Sequence, residues 1–245
     1  MDNLDIQESL KIILDEHSDL SANEIRRLLN KMSSSEIAHA LESSPPKQRR
    51  LLFSLLNIDE EGDVLSDLGE EIQQDLVSNI SNDELAEAVK ELEPDEVVDI
   101  LQKLPEDRMK NILSKMSLRD RQRIELGLTF PDDTAGGLLN TDVISVRPSH
   151  TIEVVINYLR DQDELPQNTD KIFVVSKSDE YVGELSISKI ITSKLSLTVR
   201  EVMETDVLPI TVNQDDKEVA TLFERNDLIS SAVVDMSGKL IGRIT

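Results

Sequence analysis

Apolar residues in the first half of the chain recur at helical spacing in short blocks. Ile25, Leu28 and Leu29 form one block, Ile37, Ala40 and Leu41 a second, and Val97, Val98, Ile100 and Leu101 a third, each confined to one side of a helix. Ahead of such blocks stand residues suited to starting a helix: Ser21, Ser33 and Pro45, then Ser81, Pro94, Pro105 and Ser117. Serine accepts from an orphan N–H of the first turn, and proline is tolerated there because that N–H has no helical partner to lose. The intervals are 12 residues in the first group and 11 to 13 in the second. Helices this short cannot bury their apolar faces singly and must stack on neighbours. The pattern therefore predicts an all-α, superhelical, armadillo-like array over residues 1–130.

The pattern changes at Pro131-Asp132-Asp133-Thr134-Ala135-Gly136-Gly137-Leu138-Leu139. Proline and the aspartates favour a turn and the paired glycines permit positive φ, so residues 131–140 read as a hinge at which the helical run stops. Beyond it the chain is duplicated. Thr141-Asp142-Val143-Ile144 recurs as Thr205-Asp206-Val207-Leu208 at an offset of 64, kept from Val155 to Val219 and from Leu159 to Phe223. Val174-Val175 and Gly183 match Val233-Val234 and Gly242 at an offset of 59, the difference lying in the loop Leu165 to Thr169. Each copy reads as a short strand, an amphipathic helix (Ile152 to Leu159; Lys217 to Phe223), an apolar strand, a turn, and a strand entered through glycine. The chain as a whole is thus α+β. The order of the second half resembles a tandem pair of CBS domains, residues 141–198 and 199–245, with Val199-Arg200-Glu201-Val202-Met203 leading into the second copy. Thr245 matches Ser186, which helix-like Ile187 to Ile191 follow, so the sequence is expected to stop inside the last strand of the second copy.

Composition narrows the function. Aromatic residues make up 2% of the chain, leaving core packing to Leu, Ile and Val, and there is no cysteine. Disulfides, thiolate metal sites and cysteine nucleophiles are excluded, which is compatible with the cytosol. No window approaches the length of a membrane-spanning apolar run, and Met1-Asp2-Asn3-Leu4-Asp5 is no secretory signal; neither a span nor secretion is expected. The net charge of −23, with 49 acidic against 26 basic residues, argues against nucleic acid, which needs a basic stripe to neutralise phosphates. The same carboxylates suit divalent cations, which prefer oxygen ligands.

A helical array, then the stretch PDDTAGGLLNTDVISV, then a CBS pair resembles the cytosolic region of the MgtE family of magnesium channels, over essentially the whole chain. The resemblance implies a magnesium-sensing regulatory region on the cytosolic face of the membrane, dimerised through its CBS domains, gating a transmembrane pore domain that would follow Thr245. It also implies ligand positions. Asp95 and Asp99 match a family pair of acidic Mg2+ ligands, and their spacing places both carboxylates on one face of a helix, expected to be exposed. Asp215 and Asp227 match acidic positions in the second CBS copy, with Glu218 as an adjacent candidate; for Asp215 a helix N-cap is the competing role. Lys217 stands where the family has an acid, which weakens the site locally. In the implied mechanism, facing carboxylates repel when magnesium is scarce and the helical part swings about Gly136-Gly137; cations bridge them when it is plentiful.

A pore-less adenosine-nucleotide sensor or interaction scaffold is the alternative built from the same modules. Many CBS pairs hold such nucleotides, but the ribose-binding acid that usually follows a strand-end Ser by three positions is replaced here by Lys189, after Ser186. Catalysis is not expected. His17, His39 and His150 are scattered and no HExxH motif or phosphate loop is present.

Overall fold

The computed structural model describes residues 21–162 and 164–245; His17 lies outside them. The chain divides into two compact units, one of the described residues up to Leu92 with Asp99–Ser117, the other of Glu93–Val98 with Leu118–Thr245. Among the described residues, no helix is long and apolar enough to cross a membrane.

Helices begin at every start read from the sequence. Ser21, Ser33 and Ser81 cap Ala22–Leu29, Ser34–Glu42 and Asn82–Ala88, and in each a glutamate three residues on returns to the cap's backbone N–H, closing a capping box. Pro45 and Pro105 precede Pro46–Phe53 and Glu106–Leu113 without a side-chain cap, and Pro94 opens Pro94–Leu101. Two helices had no such signal in the reading, Ile58–Asp67 and Glu70–Asn79, whose caps Asn57 and Gly69 make no side-chain capping bond. Leu29, Ile37, Leu41, Leu65, Leu76, Leu85 and Ile112 form the aliphatic interior of this unit. The last helix of the array, Leu118–Gly127, belongs to the second unit.

That second unit is the duplication made visible. Strand β1 (Ser145–Val146) pairs in parallel with β2 (Lys171–Val175), and β2 pairs antiparallel with β3 (Tyr181–Ser186). Strands β4 (Ile210–Thr211), β5 (Ser231–Val234) and β6 (Leu240–Ile244) repeat that order. Both sheets carry the same irregularity, between Val174 and Val175 and between Val233 and Val234. The first strands lie a few residues beyond the expected Thr141–Ile144 and Thr205–Leu208. The helices Ile152–Arg160 and Asp216–Asn226 contain the expected amphipathic runs.

The segment before each copy is bonded to the other copy. Thr198 bridges Thr151 and Glu204 bridges Glu184, while Thr134 bridges Asp215 and Asn140 bridges Arg243. The two sets are equivalent by the sequence offsets, and Glu180 bridges its own counterpart Lys239, where the pseudo-twofold axis passes. Residues 131–140, read from the sequence as a hinge, are therefore held as part of the second copy. Ala135 N–H donates to Gln214 O at 2.7 Å and Gly136 N–H to Val212 O at 2.9 Å, and Ala135 and Leu139 lie in one core with Ile210, Val219, Val233 and Ile244. Neither glycine has positive φ. They are required for close approach instead, since a Cβ on Gly136 would sit 2.5 Å from the Phe130 ring and one on Gly137 2.7 Å from the Asp132 backbone.

Candidate metal centre

Pro94–Leu101 begins with an unusually acidic turn. Val97 N–H donates to Glu93 O at 3.1 Å, Pro94 fills the first helical position, and Glu96 returns to accept from Glu93 N–H at 2.9 Å. Asp95 stands in this turn as predicted, but not on an exposed face. Its side chain is largely covered, and its Oδ1 has no hydrogen-bond partner. The expectation of two exposed carboxylates thus holds for Asp99 and fails for Asp95. Burial is the main reason that the Asp95 carboxyl is pushed up to about 6; backbone N–H donors of the turn oppose it, and Glu93 and Glu96 reinforce it. Asp99 accepts from Gln102 Nε2 at 3.4 Å.

Glu93 is anchored and was missed. Gln167 N–H donates to its Oε1 at 2.8 Å, while the Asn140 amide and Arg243 Nη2 approach its Oε2. Arg243 is 3% exposed, and its guanidinium also donates to Gln167 O at 2.7 Å and Asp142 O at 3.1 Å. Asp142 in turn pairs with Arg123 at 2.8 Å. The available signal was Arg243 itself, a cation on a strand position otherwise suited to an apolar side chain. A fully covered guanidinium demands a carboxylate.

The remaining predicted positions lie along one helix. Asp215 caps Asp216–Asn226, its Oδ1 accepting from Lys217 N–H at 3.0 Å and Glu218 N–H at 3.4 Å. Glu218 is exposed in the first turn, and Asp227 ends the helix in the left-handed conformation at φ 49°. Eleven helical residues separate the ends by roughly 16 Å, so Asp215 and Asp227 of one chain cannot share an ion. Among the described residues, no three His, Asp or Glu side chains converge as a cation cluster. The donor chemistry fits a divalent cation best at Asp95, where a covered carboxylate oxygen lacks any partner and two further carboxylates raise the local negative potential.

Comparison with known proteins agrees with this architecture. The MgtE intracellular N domain matches residues 32–133, and the CBS domain matches residues 135–195 and 199–245. The chain is homologous to the MgtE magnesium transporters. The magnesium transporter MgtE of Bacillus subtilis is 25% identical over 91% of this chain and 49% of its own length. That of Thermus thermophilus is 31% identical over 52% of this chain and 28% of its own. The chain therefore spans about half the length, or less, of the curated relatives it matches. The crystal structure of the cytosolic domain of the Mg2+ channel MgtE in complex with ATP is 25% identical, covers 99% of this chain and 96% of that one, and superposes with a TM-score of 0.85.

Proposed function

We propose that this chain is the magnesium-sensing regulatory region of an MgtE-type channel or transporter, cytosolic, dimeric through its CBS pair, and coupled to a membrane pore in the full-length protein. The observation that carries the reading is Asp95, a carboxylate held largely out of water with an unpartnered oxygen between two further acids, in a chain homologous to magnesium transporters. A hydrated divalent cation would supply the partner that Asp95 lacks. The chain's own part is to keep Asp95 and Asp99 on one helix, to hold the start of that helix through Glu93, and to present Asp215, Glu218 and Asp227 on a helix of the second CBS copy. Asp215 and Asp227 are too far apart to serve one ion together, so each would act with ligands from outside its own helix. Uncompensated, these like charges favour an expanded form; a ligand that binds the compact form better shifts the population toward it.

The test is compaction. Small-angle scattering with and without magnesium, at matched ionic strength, should show a smaller radius with the ion, and Asp95→Asn with Asp99→Asn should reduce that change. An identical change in the double variant would remove both residues from the site.

The ATP held by the structurally similar cytosolic domain supports a second reading, adenosine-nucleotide sensing by the CBS pair. Here Ser186 caps Ile187–Thr192 by accepting from Lys189 N–H at 3.3 Å, and Lys189 offers no carboxylate to a ribose. Calorimetric titration with ATP separates the readings, since binding without compaction favours the second.

A further inference from the structure

The helical unit contains a carboxyl group for which the cation reading has no use. Glu61, on helix Ile58–Asp67, is 4% exposed, and its Oε2 has no hydrogen-bond partner. A carboxylate in that position is far costlier than the neutral acid. A Cβ on the adjacent Gly62 would fall inside the van der Waals shell of Ala88 O and 3.2 Å from Leu92 Cγ, so Ile58–Asp67 meets Asn82–Ala88 backbone to backbone. Glu84, one turn before Ala88, is the charge that acts on Glu61. Other charged groups of the packed helices are engaged elsewhere: Glu36 with the Ser33 N–H, Glu42 with the Gly69 N–H, Asp83 with Lys115, and Glu87 with Lys90. His39 and Glu91 are exposed.

We infer that Glu61 is a proton-operated element of the helical unit: while it is uncharged the contact of Ile58–Asp67 with Asn82–Ala88 is kept, and its ionisation beside Glu84 loosens that contact. Burial, with Glu84 adding to it, pushes the Glu61 carboxyl up to about 7 from the ordinary 4.5, which puts the charge change at neutral pH. The folded state thus keeps this proton longer than the unfolded chain does. Its stabilising effect is complete below about 4.5, declines above it, and is lost as pH rises through about 7. This element is independent of Asp95 and of any cation.

Urea unfolding of the whole chain, followed by circular dichroism from pH 4 to 8 without divalent cations, tests it against Glu61→Gln. The variant's folding equilibrium constant should gain on wild type as pH rises, by about two- to three-hundredfold at pH 8 relative to pH 4. The carboxyl resonance of Glu61 in the unmutated protein should titrate near neutrality, and Glu84→Gln should move that titration to lower pH. A Glu61 resonance titrating in the ordinary glutamate range, or a Glu61→Gln curve parallel to wild type, overturns the inference. No movement in Glu84→Gln overturns the role given to Glu84.

Discussion

Asp95 shows how one side chain's surroundings change what a substitution does. On an exposed face, Asp95→Asn would alter stability by no more than about 0.5 kcal/mol. Largely covered, with its carboxyl pushed up to about 6 from 3.8, Asp95 destabilises the cation-free fold at neutral pH. The folded carboxyl holds its proton longer than the unfolded one, so stability is full below about 3.8 and is lost as pH rises through about 6. Asp95→Asn is therefore expected to stabilise the cation-free protein by about 2–3 kcal/mol at pH 7 and to change little at pH 4. Thermal melts at the two pH values check this. Asp99→Asn, on the exposed side of the same helix, should move neither melt appreciably. Arg243 gives the opposite case. Its guanidinium is buried with Glu93 as partner, so Arg243→Ala should cost about 3–5 kcal/mol by leaving that carboxylate unpaired; urea midpoints measure it.

At the scale of elements, helix starts were legible because capping is local chemistry. Ser81 and Glu84 lie three residues apart in sequence and satisfy each other's backbone wherever the helix later packs. Ile58–Asp67 and Glu70–Asn79 were not found, because Asn57 and Gly69 begin them without side-chain bonds; tertiary burial of Val64, Leu65, Leu76 and Val77 holds them instead. At Gly136-Gly137, crowding by the Phe130 ring and by the Asp132 backbone, not positive φ, requires glycine. Two other glycines separate these causes. Gly238 has φ 81° in open space, whereas a Cβ on Gly242 would collide with the Asn140 carbonyl and come 2.5 Å from Leu139 Cδ1. Gly238→Ala should cost about 1 kcal/mol from backbone strain. Gly242→Ala should cost about 2–4 kcal/mol, because it breaks the pairing of residue 140 on the second copy. Denaturant midpoints of the pair rank the two effects.

Across the whole molecule, the two CBS helices Ile152–Arg160 and Asp216–Asn226 leave only part of their apolar surface free. Val155 and Val219 are core residues, and Leu159, Leu222 and Phe223 pack against the two cores. Val154 and Tyr158, 49% and 43% exposed, are left for a partner. If the proposed CBS dimer forms there, Val154→Glu with Tyr158→Glu should yield a monomer that still folds, as sedimentation and circular dichroism would show; an unchanged dimer would move the interface elsewhere. Magnesium should also raise the melting temperature, because an ion that binds the folded state adds its binding free energy to stability. No rise at matched ionic strength would count against cation binding in this chain.

Sequence alone determined the features whose causes are local or repeated: helices started by serine or proline, a duplication at fixed offsets, and a large acidic excess. Even the pairing of candidate ligands on one helix follows from spacing. Tertiary structure decided what depends on distant neighbours. It threaded the segment before each CBS copy onto the other copy, and so built residues 131–140 into a core. It covered Asp95 while leaving Asp99 in water, and it placed Arg243 against Glu93, 150 residues away. It also shut Glu61 between helices. Periodicity tells which side of a helix is apolar, whereas the dielectric around a carboxylate is set by whatever packs over it, and that information is spread across the chain.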